Sequence, residues 1–115
     1  MIRIDKTVYD PPEPSDGKRV LVMRIWPRGV PRDRVHVWLK ELGTQRELIS
    51  EWKAGRVSWE EFRMRYLEGL RGKEQLLREL AEEAKKGTLT LLCSCRDAEH
   101  CHRYLLKEAI EAYLG

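Results

Sequence analysis

The sequence predicts an α/β fold, a single small layered domain with a mostly parallel central sheet flanked by helices. Three observations predict it. Residues 20–26 and 88–93 are short runs that are apolar at nearly every position, the pattern of strands covered on both faces. The stretch between them carries apolar residues at helical spacing, which is the long crossover that a parallel pair of strands requires. Strands and helices alternate, with no internal repeat, low-complexity tract or dividing linker, so layered α/β architecture follows.

Taken in order, residues 1–9 read as a strand with Ile2 and Ile4 on one face. Residues 10–17 hold Pro11, Pro12 and Pro14, which exclude a helix and favour an extended surface crossing. The first buried strand then runs to Trp26 and stops at Pro27 and Gly29. Residues 30–42 read as a short turn followed by extended chain, because Val35 and Val37 alternate with polar neighbours. Thr44-Gln45-Arg46-Glu47 has the capping-box pattern ahead of Leu48, Ile49 and Trp52, and Gly55 ends that helix. Ser58-Trp59-Glu60-Glu61 repeats the pattern, and Trp59, Phe62, Tyr66 and Leu70 follow at helical spacing as core residues. After a break at Gly72, the face Leu76, Leu77, Leu80, Ala81, Ala84 continues to Lys85-Lys86-Gly87, cations and glycine at a helix C-terminus. The second buried strand ends at Cys93. Asp97 is positioned to cap a last helix, whose stripe is Cys101, Leu105, Leu106, Ala109, Ile110 and Tyr113.

Length and composition bound the function. At 115 residues the chain is one domain, residues 1–115, and 42% hydrophobic residues suffice for a core without staples. No apolar run approaches the roughly 18 residues of a membrane span, and Met1-Ile2-Arg3-Ile4-Asp5 bears charge where a signal peptide is apolar. The expected location is cytoplasmic, with no membrane partner. The 36% of charged residues leans toward a thermophile's surface ion-pair networks. The net charge of +3 is local: Lys18, Arg19, Arg24, Arg28, Arg32 and Arg34 against Asp33 alone give residues 18–34 a balance of +5. Attraction for anions should concentrate there.

Chemistry concentrates in Cys93-Ser94-Cys95-Arg96-Asp97-Ala98-Glu99-His100-Cys101-His102-Arg103. This stretch joins a strand end to a helix start, where α/β sheets bind ligands and where a helix N-terminus attracts anions and acidifies thiols. Trp26-Pro27-Arg28-Gly29 follows the other central strand. If the two strands are parallel, both segments reach the same sheet edge. Three cysteines within residues 93–101 are no secreted disulfide framework, and a bond from Cys101 to Cys93 or Cys95 is geometrically open. A phosphatase-like loop fails for want of an arginine six residues beyond either strand-end cysteine. The zinc-deaminase, P-loop and dinucleotide patterns do not occur. The Cys-x-Cys and Cys-His spacing differs from that of structural zinc knuckles, so neither metal nor cofactor is assigned.

The segments Val8-Tyr9-Asp10-Pro11-Pro12, then Arg19-Val20-Leu21-Val22-Met23-Arg24-Ile25-Trp26-Pro27-Arg28-Gly29-Val30, then Thr90-Leu91-Leu92-Cys93 through Cys101-His102-Arg103 resemble the domain-of-unknown-function family 488, YeaO-like proteins included. With Trp38-Leu39-Lys40-Glu41-Leu42 and Trp59-Glu60-Glu61-Phe62, the resemblance spans nearly the whole chain. It implies a compact cytosolic α/β domain without an established activity. The last motif departs from the YeaO-like pattern, which lacks these cysteines. It fits a broader branch at Cys93, Cys101, His102 and Arg103, with Cys95 in place of an acid. A mechanism built on the cysteines is therefore not common to all YeaO-like relatives, whereas one built on Arg24 and Arg28 can be.

The resulting expectation is a small anionic ligand, phosphate- or carboxylate-bearing, bound where Trp26 to Gly29 meets Cys93 to Arg103. Arg24, Arg28 and Arg103 are the expected ligand-binding residues, and Cys93, Cys101 and His102 the catalytic ones if a reaction takes place. The alternatives are a nucleic-acid-binding module using residues 18–34, with Trp26 stacking on a base, and a purely structural module.

Overall fold

A computed structural model describes residues 1–114, and the structural statements below concern those residues. Strands β1 (Ile2–Arg3), β2 (Lys18–Leu21), β3 (Val37–Trp38) and β4 (Leu89–Leu92) form one sheet in the order β1-β4-β2-β3, every neighbouring pair parallel. The central pair is β2 and β4, in register from Lys18 opposite Leu89 to Leu21 opposite Leu92. Helices α1 (Arg46–Lys53), α2 (Trp59–Glu68) and α3 (Glu74–Lys86) lie between β3 and β4, and α4 (His102–Glu111) follows β4. The α/β class with a parallel sheet, read from two apolar runs, is the one observed.

Strand alternation decides the layers. Val20, Val22, Leu89 and Leu91 meet Leu48 of α1, Phe62 and Tyr66 of α2, Leu77 and Leu80 of α3, and Leu105 and Ile110 of α4 in the main core. Each leucine so buried is worth about 1.5–3 kcal/mol. Leu21 and Leu92 face the other way, where Val8, Val30 and the partly buried Trp26 and Trp38 form a second, smaller cluster. The helices therefore share one face, and loops close the other. The β2–β3 connection holds only a single 3-10 turn, Arg32–Arg34, so it supplies no helix to that second face.

Several local expectations shift. The strand expected over residues 20–26 begins at Lys18 and ends at Leu21, with one further rung from the Val22 N–H to the Leu92 carbonyl at 3.0 Å. The expected strand over residues 1–9 contracts to β1. Residues 10–17 contain a 3-10 turn, Pro14–Asp16, with Pro14 at its first position, where its missing N–H costs nothing. Gly17 turns the chain from there into β2 at φ 62°, and a Cβ on it would stand 2.1 Å from the Thr88 carbonyl oxygen. Ser58 caps α2 as read, accepting from the Glu61 N–H at 3.1 Å. Thr44 does not cap α1, whose N-cap is Gln45 without a side-chain bond. Asp97 caps a 3-10 turn, Ala98–His100, by accepting from the Glu99 and His100 N–H groups, and Cys101 becomes the N-cap of α4. The reading of residues 30–42 as turn then extended chain holds through Val37–Trp38, after which Lys40–Leu42 forms a further 3-10 turn.

Candidate functional site

The parallel register brings the chain after β2 and the chain after β4 to the same end of the sheet. Val22, which adds one rung to the ladder just after β2, leads directly into Met23 and Arg24, while β4 leads into Cys93, Ser94 and Cys95. Helix α1 reaches this edge because Gly43 lets its lead-in touch the backbone: a Cβ there would lie 2.5 Å from the Arg24 nitrogen. The result is a cavity of about 620 Å³ beyond the strand ends, with Met23, Ile49, Trp52 and Phe62 as apolar wall and Cys93, Cys95, Cys101 and His102 also in its lining.

Cys93 and Cys101 are buried free thiols, and Cys95 is a half-buried one. Their Sγ atoms, for Cys93 and Cys101, and a ring nitrogen of His102 lie within 4.8 Å of one another. His102 is oriented from behind. Its Nε2 faces the Val22 carbonyl, which can only accept, so Nε2 carries the ring proton and Nδ1 keeps a lone pair. Nδ1 points at the Cys101 Sγ, 3.5 Å away. The edge of the buried Tyr66 ring holds the imidazole plane at 5.5 Å between centroids, and the Tyr66 hydroxyl donates to the Leu42 carbonyl at 2.7 Å.

The thiols are electrostatically unequal. The hydrogen bond from Cys93 holds Cys101 well below the ordinary thiol range against the opposing effect of burial, with the Arg103 backbone N–H assisting. The same bond, and then burial, push Cys93 far up. Cys95 is pushed up by burial and by its neighbour Cys101. Chemically, the arrangement offers one thiol disposed to ionise beside an imidazole, a second thiol within reach, and two thiols with an imidazole as a soft donor set.

The three expected arginines are placed differently. Arg24 lines the cavity, its Nε donating to the Thr44 carbonyl at 3.1 Å. Arg28 is exposed on the turn at Gly29 and is absent from the cavity lining. Arg103 is 1% exposed and lies behind the cluster, donating to the Ile4, Lys6 and Cys95 carbonyls and, at 3.4 Å, to the Cys101 Sγ. Trp26 packs against Trp38 on the loop-covered face at 5.4 Å and donates to the Val30 carbonyl at 2.9 Å. Within the basic segment, Lys18 pairs with Glu83 at 3.5 Å, Arg19 is buried on Asp16, Arg34 reaches the Tyr9 carbonyl at 3.3 Å, and Arg32 covers Trp26 at 4.7 Å.

Arg46 and Lys53 also line the cavity, and sequence reasoning did not single them out; His100, named within the chemical stretch but given no role, lines it too. The available signal was the spacing Arg46, Ile49, Lys53, which puts two cations and an apolar residue on one stripe of α1. The exposed His100 lies in a T-shaped contact with Trp59 at 5.3 Å between centroids and 3.1 Å from Asp97 Oδ2.

Fold and site together define a small parallel α/β domain with a cysteine–histidine cluster at the strand ends. The family described as "Inactive DUF488-N3 subclade" matches residues 1–115, and the chain belongs to this DUF488/YeaO-like family. It is 40% identical over 105 residues to the uncharacterized protein YeaO of Escherichia coli (strain K12), covering 90% of this chain and 91% of that one. It is 32% identical over 105 residues to the uncharacterized protein Rv3073c of Mycobacterium tuberculosis (strain ATCC 25618 / H37Rv), covering 90% and 88% of the two chains. No solved structure matches the chain at a significant level. No helix is long and apolar enough to cross a membrane.

Proposed function

We propose that the domain binds a small molecule with an anionic group and an apolar body in the cavity beyond β2 and β4, as a binding module and not as a catalyst. The observation that carries this reading is the cavity lining, which among the described residues includes Arg24, Arg46 and Lys53 and no carboxylate. In so small a cavity, partly screened from water by Trp52 and Phe62, three cations without an acid strongly favour an anion. The family's description as inactive favours binding over turnover. The nucleic-acid reading draws less support, because Lys18, Arg19, Arg32 and Arg34 have partners within the fold.

Isothermal titration with a panel of phosphate- and carboxylate-bearing metabolites and nucleotides tests the reading. The expected result is saturable binding that Arg24→Ala and Arg46→Ala each weaken by about 10-fold or more, the loss of a charge-assisted hydrogen bond of about 1.5–3 kcal/mol. Binding that both variants retain at full strength, or a panel with no binder, overturns it.

A further inference from the structure

We propose that Cys93, Cys101 and His102 form a site for a soft divalent cation, Zn²⁺ being the best fit, with its fourth coordination position open to the cavity. The inference rests on the cluster alone and stands separately from the identity of any ligand in the cavity. Two sulfurs and one imidazole nitrogen are donors that Zn²⁺ takes and that Mg²⁺ and Ca²⁺ refuse.

The geometry fits at each level. With Zn–S about 2.3 Å and Zn–N about 2.0–2.1 Å, a tetrahedral angle sets the S···N edge at about 3.6 Å. The Cys101 Sγ and His102 Nδ1 are 3.5 Å apart, and the whole trio lies within 4.8 Å. The nitrogen facing the site is the one without a proton, because Nε2 is bound to the Val22 carbonyl. A metal-binding histidine usually gives its other N–H to a carbonyl or carboxylate in this way, which fixes ring and tautomer. Arg103 Nε donates to the Cys101 Sγ at 3.4 Å, supporting a thiolate from the side away from the cavity.

The supports are rigid as well. Cys93 directly follows β4, Cys101 is the N-cap of α4 and His102 its first residue, so all three buried donors sit on or immediately beside regular elements. The cavity supplies both an entry path and room for a fourth ligand, a water molecule or the anionic group of a bound molecule. Cys95 stands outside the trio: it is half-buried, and its Sγ faces the Asp97 carbonyl at 3.6 Å. Loading breaks the S–H bonds of Cys93 and Cys101, releases their protons to solvent and forms two S–Zn bonds, so the two thiolates balance the charge of the ion.

The test is a titration of fully reduced, metal-free protein with Co²⁺ and then Zn²⁺. The expected result is a thiolate-to-cobalt charge-transfer band with intense visible bands, complete at one equivalent and erased by Zn²⁺. Cys93→Ser, Cys101→Ser and His102→Ala should each lose these bands, and Cys95→Ser should keep them. Because the buried variants can misfold, the wild-type chain carries an independent readout. Zn²⁺ should protect Cys93 and Cys101, but not Cys95, from iodoacetamide as mapped by mass spectrometry, and a chelator should restore their labelling. A pale octahedral cobalt spectrum, protection that fails to distinguish Cys95, or no protection overturns the proposal.

Discussion

The two ends of the central β2–β4 pair each carry a buried polar centre, and the two are built in opposite ways. At the amino end, Asp16 is fully buried and accepts from Lys6 at 2.8 and 2.9 Å, from Arg19 at 2.6 Å, from Arg3 at 3.3 Å and from the Glu13 N–H at 3.1 Å. Its own carbonyl takes the Thr90 hydroxyl at 2.6 Å, which ties the centre to β4. Each carboxylate oxygen accepts at least two hydrogen bonds, and Asp16 is not among the residues lining the cavity at the other end. At the carboxyl end, Cys93, Cys101 and His102 are also buried, yet their donor atoms converge on one another and line a cavity. A saturated centre holds a fold together, whereas an unsaturated centre facing a cavity is available for a ligand.

The contrast predicts a ranking of effects. Asp16→Ala leaves Lys6 and Arg19 buried without their counter-charge and should cost about 3–5 kcal/mol in chemical denaturation. Arg103→Ala strands the Ile4, Lys6 and Cys95 carbonyls at once and should cost about 3 kcal/mol, removing cobalt binding with it. Cys93→Ala and Cys101→Ala should each cost about 1 kcal/mol, since each removes a single sulfur whose hydrogen bonds are long and weak. Equal losses at Asp16 and Cys101 would break the comparison. Arg28→Ala, on an exposed turn, should stay within about 0.5 kcal/mol and leave ligand binding unchanged.

Acid sharpens the same contrast. Burial raises the Asp16 carboxyl, but the hydrogen bonds from Lys6, the Glu13 N–H and Arg19 outweigh it and hold the group below the usual carboxylate range. A depressed folded-state pKa adds stability that is complete above the unfolded value of about 3.9 and is lost as pH falls through the folded one. Urea midpoints measured from pH 5 downward should therefore fall in the wild type. In Asp16→Asn they should start lower and fall less, and parallel curves would remove the assignment to Asp16.

Legibility in the sequence followed the same line. The parallel pair β2 and β4 and their crossover were readable because apolar runs and helical spacing are local signals. The limits of β2 were not, because Lys18 and Arg19 look like loop while Arg19 is in fact buried on Asp16. The apolar residues beyond Val22 have the opposite history. Met23 and Ile25 read as strand, yet they line the cavity, and Ile25 is 57% exposed. The approach of Cys101 to Cys93 was legible from a strand end meeting a helix start; that His102 joins them was not, because adjacent helical positions diverge and Cys101 is the N-cap, with extended backbone. The division of labour among Arg24, Arg28 and Arg103 was not, because it depends on which carbonyls the turns leave near each guanidinium.

The strand order also bears on how the chain is made. β4 lies between β1 and β2, so the first strand has no partner until residues near 90 have left the ribosome, long after its own synthesis. β2 and β3 can pair early, but without β4 they form a two-stranded ribbon, marginal in water. A nascent chain stalled before β4 should be open to protease along its first forty residues and protected there once β4 and α4 emerge. Assembly of the sheet and completion of the cysteine–histidine cluster thus belong to the same late step, and pairing across so long a loop makes that step slow relative to helix formation.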